Sequence, residues 1–171
     1  PLQFTKNGYL YTIKLSSMSL SETNTFSRLD LARQFIEFTG KNLFLTGKAG
    51  TGKTTFLKKL REHSPKRMAV VAPTGVAAIN AGGVTIHSFF QLPFGPQIPN
   101  QYLPQQEQQP ENSYRFSREK LNLIRSIDLL VIDEISMVRA DLLDAIDGVL
   151  RRFRNRARPF GGVQVLMIGD L

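Results

Sequence analysis

The sequence predicts an α/β domain built on a parallel sheet with helices on both faces. The first observation is a set of apolar runs that read as buried strands, at residues 42–46, 67–72, 128–132 and 163–168. The second is that segments with apolar residues at helical spacing separate these runs. Strands that alternate with helices, each strand apolar on both faces, are typical of parallel sheets covered by crossover helices.

The first predicted helix follows a short N-terminal region. Ser27 and Asp30 have the spacing of a capping box, and the apolar residues after them recur at helical spacing as far as about Thr39. Tyr9 to Leu15 alternates weakly like a strand, but no hairpin partner lies nearby. We therefore expect residues 1–20 to be a peripheral N-terminal extension and residues 21–171 to form the domain.

The central part of the chain continues the alternation and then interrupts it. Helices are predicted at 54–63, 74–81, 117–125 and 138–153. Between the second and third of these, residues 91–110 contain seven glutamines and five prolines. This composition excludes a regular helix or a central strand, so residues 91–116 are predicted to be an inserted surface loop.

Composition and charge limit the class of protein. The 171 residues are 42% apolar and carry a formal charge of +8, which suggests a polyanionic partner such as nucleic acid, although a basic protein without such a partner is the alternative. The absence of cysteine excludes a disulfide scaffold and a thiolate metal site. No apolar stretch approaches the length of a membrane span. We expect no membrane partner and a cytoplasmic (bacterial) or otherwise intracellular location.

The segment Gly47–Thr54 fits the phosphate-loop pattern, a glycine-rich loop between a strand and a helix. Its backbone N–H groups and the following helix N-terminus would face phosphate oxygens. Lys53 would reach the β- and γ-phosphates of ATP, and the Thr54 hydroxyl would ligate Mg²⁺. The alternative is a glycine-rich turn without nucleotide. The residues predicted to contact ATP are Gly47, Ala49, Gly50, Thr51, Gly52, Lys53, Thr54 and Thr55.

A second motif is Asp133-Glu134, directly after an apolar strand. The carboxyl end of a parallel strand is where such sheets bind ligands. Asp133 is predicted to hold Mg²⁺ from behind its direct ligands or through water, and Glu134 to polarise the attacking water for hydrolysis. Lys53, Asp133 and Glu134 are therefore the candidate catalytic residues. The alternative is two solvated carboxylates at the start of a loop.

Two further segments are candidates for nucleic-acid contact. Pro73, Thr74 and Gly75 begin a helix whose N–H groups could hold a phosphate, or they form an ordinary strand-to-helix turn. His87, Ser88 and Phe89 combine a ring, a hydroxyl and an aromatic face suited to a base, although adjacent phenylalanines are more often core. The run from Arg151 to Arg158 could contact phosphates or form a solvated helix end.

Taken together, four segments resemble the first RecA-like domain of a superfamily 1 DNA helicase of the petite-integration-frequency and RecD-like group. The segments are GKAGTGKTT, APTGVAAINAGGVTIHS, VIDEISM and PFGGVQVLMIGDL, and the resemblance covers about residues 26–171. It implies a RecA-like phosphate-loop NTPase domain, incomplete at its C-terminus. It also implies ATP-driven movement along single-stranded DNA, and a second RecA-like domain in the full-length chain.

Two other functions remain open at this stage. One is a phosphate-loop ATPase of another nucleic-acid-processing type, and the other is a nucleic-acid-binding module with a vestigial ATP site. The segment around His87 argues against the first, and the intact Lys53, Thr54, Asp133 and Glu134 argue against the second.

Overall fold

A computed structural model describes residues 10–15, 27–97 and 116–170 of the chain. These residues form a six-stranded sheet. The strands are β1 (Leu10–Leu15), β2 (Asn42–Gly47), β3 (Met68–Ala72), β4 (Val84–Thr85), β5 (Leu129–Ile132) and β6 (Gln164–Gly169). Their order across the sheet is β1-β2-β6-β5-β3-β4, and every neighbouring pair is parallel. The predicted parallel α/β class is confirmed.

Helices connect these strands and cover the sheet. Short 3₁₀ segments at Ile135–Met137 and Pro159–Gly162 supplement them. The first helix begins as predicted, because the Asp30 N–H donates to the Ser27 hydroxyl at 3.1 Å. The α-helices are α1 (Arg28–Phe38), α2 (Lys53–His63), α3 (Gly75–Ala81), α4 (Ile86–Phe90), α5 (Arg118–Ser126) and α6 (Ala140–Phe153).

The core has two layers, one on each face of the sheet. Strand β5 shows the arrangement, because Leu129 and Val131 belong to the layer under α1 and α2, while Leu130 and Ile132 belong to the layer under α4, α5 and α6. All four residues are fully buried. A strand with apolar side chains on both faces must lie inside such a sandwich, which is why the continuous apolar runs predicted the sheet correctly.

The prediction of a peripheral N-terminal extension is wrong for Leu10–Leu15. These residues form β1, which pairs with β2 from Leu10 opposite Asn42 to Leu15 opposite Gly47. Ile13 and Leu15 are buried in the core. A parallel partner needs no hairpin, because the chain returns to the sheet through helix α1. The lack of a hairpin partner near Tyr9 to Leu15 was therefore no evidence against a strand in the sheet. The rest of the predicted extension lies outside the described residues.

The inserted loop is described only at its two ends. Residues 91–97 form turns after α4, and Phe116 precedes the cap of α5, whereas residues 98–115 lie outside the described part of the chain. Before the loop, the segment from Val84 to Phe90 contains the short strand β4 and helix α4, which sequence periodicity had not distinguished. In the described ranges, no helix is long and apolar enough to cross a membrane.

Candidate nucleotide site and nucleic-acid interface

The glycine-rich loop joins β2 to α2 and takes its shape from two glycines. Gly50 and Gly52 have φ values of 80° and 91°, a left-handed region that side chains with a Cβ rarely adopt. The Thr51 hydroxyl donates to the Lys48 carbonyl at 2.8 Å and closes the loop on itself. Gly52 caps α2 without a side-chain hydrogen bond. The first N–H groups of this helix therefore face the loop, which makes the place suitable for an anion.

The first glycine of the loop is needed for packing against β1. A Cβ built on Gly47 would lie 2.7 Å from the Leu15 Cβ and 2.9 Å from the Thr51 hydroxyl oxygen. Both distances are too short for ordinary contacts, so a larger residue would displace the loop or the strand. The N-terminal strand, in a region that the sequence predicted to be peripheral, thus supports the base of the candidate nucleotide site.

Lys53 lies under the loop with its ammonium group fully engaged by oxygen atoms. Its Nζ donates to the carbonyls of Gly47 and Lys48, the latter at 3.1 Å, and forms an ion pair with Asp170. The Lys53 side chain is 14% exposed and that of Asp170 is 53% exposed. Asp170 follows β6, the neighbour of β2, and no role was predicted for it. Its position after a buried strand was the available signal.

The remaining predicted ATP contacts lie in the loop and in the first turn of α2. Thr54 and Thr55 occupy the exposed first turn of α2, and Ala49 lies exposed in the loop. Their exposure leaves the hydroxyls and backbone accessible to a ligand.

The Asp133-Glu134 pair lies at the same edge of the sheet, after β5. The Asp133 N–H donates to the Val71 carbonyl at 2.9 Å, which fixes the residue at the strand end. Burial raises the pKa of the half-buried Asp133 carboxyl and the nearby Glu134 charge adds to this, while the Glu134 N–H and the Lys53 charge oppose it. An ionised Asp133 would therefore gain from a cation beside it.

Glu134 is exposed and adopts a left-handed backbone with φ of 53°. A glutamate in this region is unusual, and the residue immediately precedes the 3₁₀ segment Ile135–Met137 that follows β5. Strand order places β6, with Asp170, between β2 and β5. The two candidate carboxylates and Lys53 consequently belong to one edge.

The two segments predicted to contact nucleic acid lie next to each other. Strands β3 and β4 pair with Ala72 opposite Thr85, so the residues after them share the carboxyl edge. Each following helix is capped by a threonine hydroxyl: Thr74 accepts from the Ala77 N–H and Thr85 accepts from the Ser88 N–H, both at 3.2 Å. Gly75 and Ser88 are exposed, while Pro73, Thr74 and His87 are partly buried.

The predicted DNA contact of Phe89 is wrong. Its side chain is 5% exposed and packs in the core with Phe90, at 4.8 Å between ring centroids. The Lys120 ammonium covers its ring at 4.1 Å from the centroid. A base cannot stack on a ring that is buried this way. The alternative, that the adjacent phenylalanines belong to the core, is the correct one.

The arginine run fits neither of its two interpretations completely. Arg154 Nη1 donates to the Ile124 carbonyl at 2.9 Å and also to the Arg125 carbonyl, which satisfies the end of α5. Arg151 Nε lies 2.6 Å from an Asp147 carboxylate oxygen. Arg154 therefore fastens the C-terminal end of α6 to α5, whereas Arg151 pairs with Asp147 one turn earlier on α6 itself. Neither arginine belongs to a purely solvated helix end.

The doubly covered parallel sheet, the glycine loop before α2 and the carboxylates at the neighbouring strand ends define a phosphate-loop NTPase domain of the RecA type. A family model described as PIF1-like helicase matches residues 23–171. The ATP-dependent DNA helicase PIF1 of Emericella nidulans is 40% identical over 138 residues, which are 77% of this chain and 17% of that protein. Human PIF1 is 42% identical over 132 residues, covering 77% of this chain and 19% of that protein.

Solved structures give the same result. A crystal structure of Bacteroides sp. Pif1 in complex with ADP-AlF4 has a TM-score of 0.75 and 51% identity, covering 87% of this chain and 33% of that one. Bacteroides Pif1 bound to single-stranded DNA has a TM-score of 0.73 and 50% identity, covering 91% and 33%. The chain belongs to the PIF1-like helicase family. It spans less than a fifth of these two curated relatives and about a third of the two solved chains.

Proposed function

We propose that the full-length protein containing this chain is an ATP-dependent DNA helicase and that this chain forms its first motor domain. One observation carries the proposal: the phosphate loop with Lys53 and the pair of strand-end segments around Thr74 and His87 share one edge of one sheet. Nucleotide and DNA would then contact elements joined through the same strands. A movement of these strands caused by one ligand would therefore reach the binding site of the other.

A few residues of the candidate nucleotide site have separate roles in binding and hydrolysis. The N–H groups of the loop and of the start of α2 hold phosphate oxygens, and Lys53 exchanges Asp170 for the β- and γ-phosphates. Glu134, exposed beside Asp133, orients the attacking water and accepts its proton. The relatives support this use, since Bacteroides sp. Pif1 was crystallised with ADP-AlF4.

Magnesium fits the oxygen atoms available here. The Thr54 hydroxyl and the Asp133 carboxylate are hard donors, and Mg²⁺ normally takes its other ligands from water and phosphates. Among the described residues no group of three or more His, Cys, Asp or Glu residues could hold a metal ion by itself, in keeping with a metal that arrives with the nucleotide. When bound, the ion neutralises charge on the phosphates.

The DNA side would use backbone and hydroxyl groups together with His87. Gly75 and Ser88 are exposed beside the partly buried Pro73, Thr74 and His87, and the N–H groups at the starts of α3 and α4 supply donors for phosphates. Bacteroides Pif1 has been crystallised with single-stranded DNA. We further propose that the longer protein supplies a second RecA-like domain to complete both sites, and that it works inside the cell.

The experiment is to measure ATP turnover by the full-length protein with and without oligothymidine, together with displacement of a strand from a forked duplex. Turnover that rises with oligothymidine, and strand displacement that requires ATP, are the expected results. ATP turnover that is the same with and without oligothymidine would favour a phosphate-loop ATPase of another type. DNA binding without turnover would favour a binding module with a vestigial nucleotide site.

A further inference from the structure

Phe94 is exposed to an extent that the core does not explain. Its side chain is 89% exposed, the highest value among the large hydrophobic residues that the structure describes. Phe89 and Phe90, a few residues earlier, are both buried. Since burying a phenylalanine is strongly favourable, a ring displayed in this way forgoes a stabilisation that its neighbours obtain.

The Phe94 ring is nevertheless not loose, because it stacks on His87. The two ring centroids lie 4.8 Å apart and the planes differ by 26°. His87 belongs to α4, directly after β4, in the segment proposed to contact DNA. The stack thus extends the DNA side of the edge by one aromatic ring.

The turn that carries Phe94 is fixed at both of its ends. Leu92, before it, is buried with 5% exposure. After it, the Gln97 side-chain amide donates to the carbonyls of Pro93 at 2.8 Å and Gly95 at 3.2 Å, closing the turn around Phe94. The Gln97 backbone N–H donates to an Asp141 carboxylate oxygen at 2.7 Å.

Asp141 connects the turn to helix α6. Arg139 Nε holds its carboxylate at 2.9 Å, and the residue lies in the first turn of that helix. The ring is therefore displayed by a turn fastened to both α4 and α6. Such preorganisation lowers the entropic cost of binding.

We propose that Phe94 is a stacking platform for a nucleobase of single-stranded DNA, with His87 supporting it from behind. A base presents a flat π-face of matching size, and stacking on an exposed aromatic ring is tolerant of sequence, as a translocating protein requires. This inference rests on the proposed function, because it assumes that a DNA strand passes the His87 segment.

The test compares Phe94→Ala with Phe38→Ala in the full-length protein. Phe38 is a matched control, since it is 81% exposed and lies on α1, in another part of the fold. Affinity for labelled oligothymidine should fall roughly 5- to 150-fold in Phe94→Ala and stay unchanged in Phe38→Ala. The Phe94→Trp variant should keep most of the affinity, because the platform is retained.

Two further measurements separate stacking from other causes. The slope of affinity against salt should be the same in Phe94→Ala as in the unmodified protein, because no phosphate contact is removed. An abasic oligonucleotide should bind the unmodified protein and Phe94→Ala equally weakly. A shallower salt slope, or a penalty that persists on the abasic strand, would overturn the stacking role, and thermal melting by circular dichroism checks that the variant is folded.

The outcomes also distinguish this inference from the proposed function. If the unmodified protein binds oligothymidine and is stimulated by it, but Phe94→Ala behaves like Phe38→Ala, the platform is wrong and the helicase function stands. If the unmodified protein neither binds oligothymidine nor responds to it, both fail.

Discussion

The end of the sheet where the parallel strands begin (the amino edge) and the end where they finish (the carboxyl edge) differ in how their charged residues are held. At the amino edge, Lys66 Nζ donates to the carbonyls of Ile36 and Thr39 and to the Gln164 side chain. At the carboxyl edge, Lys53 is paired with a half-exposed carboxylate, and the glycine loop beside it is exposed. The amino-edge lysine is thus held only by acceptors of the fold, whereas the carboxyl-edge lysine also has a half-exposed carboxylate partner, which a phosphate would replace under the proposed function.

Two arginines at the amino edge are also held by groups of the fold. Arg67 forms a two-pronged contact with Asp128, at 2.9 and 3.0 Å, at the amino edge. Arg154 satisfies the end of α5 nearby. A net charge of +8 therefore says little about where a polyanion binds, because part of that charge fastens helices and strands together. The two edges differ in how exposed the side-chain partner of the lysine is: Gln164 at the amino edge is buried, and Asp170 at the carboxyl edge is half-exposed.

The largest expected effect comes from removing the charge of Lys53, the lysine of the carboxyl edge. Lys53→Ala in the full-length protein should lower ATP turnover by at least about 10²-fold, because a positive charge facing the transferred phosphoryl group is lost. Lys58→Ala, an exposed lysine farther along α2, is the matched control and should leave turnover unchanged. Near-normal turnover in Lys53→Ala, measured by phosphate release, would refute the location of the nucleotide site.

Next in size is the removal of the proposed water-orienting group. Glu134→Gln should keep nucleotide binding while turnover falls roughly 10²-fold, since the amide cannot accept the proton and the shape of the side chain is preserved. Binding is measured with a fluorescent nucleotide and turnover by phosphate release. Loss of both together would mean that Glu134, with its left-handed backbone, serves the fold of the loop instead of hydrolysis.

At the amino edge the expected effect is on stability. Lys66→Ala leaves the carbonyls of Ile36 and Thr39 and the Gln164 oxygen without their donor, so the free energy of unfolding should fall by about 1–3 kcal/mol. Denaturant unfolding followed by circular dichroism measures it, with the exposed Lys59→Ala as control. Equal stability of the two variants would mean that the amino-edge lysine is as dispensable as a surface lysine.

The smallest expected effect tests whether Asp170 competes with the nucleotide phosphates for Lys53. Asp170→Asn keeps the size of the side chain but removes the charge that competes with phosphates for Lys53. Nucleotide affinity should rise a few-fold, on the order of the energy of a partly exposed ion pair. Titration with ADP in the presence and absence of Mg²⁺ measures this change. Weaker binding that depends on Mg²⁺ would instead place Asp170 among the residues that support the metal.

Features of this fold that depend on residues close together in the chain could be predicted from sequence. The cap of α1 and the phosphate loop were predictable, because Ser27 and Asp30 lie three residues apart and the loop takes its shape from nearby glycines. The pairing of β1 with the sheet was not, because its partner β2 lies on the far side of α1 in the sequence. Phe89 was misjudged, since adjacent aromatic residues carry no local mark of whether they face the core or the solvent.

The sequence by itself determined the parallel α/β class, the phosphate loop and the Asp133-Glu134 pair at a strand end. These depend on hydrophobic period and on backbone geometry within a few residues, both of which act locally. The tertiary structure alone decided that β1 supports Gly47, that Asp170 pairs with Lys53 and that Phe94 is displayed on His87. The physical reason is that strand order and helix packing join residues far apart in the chain, and no local pattern records that pairing.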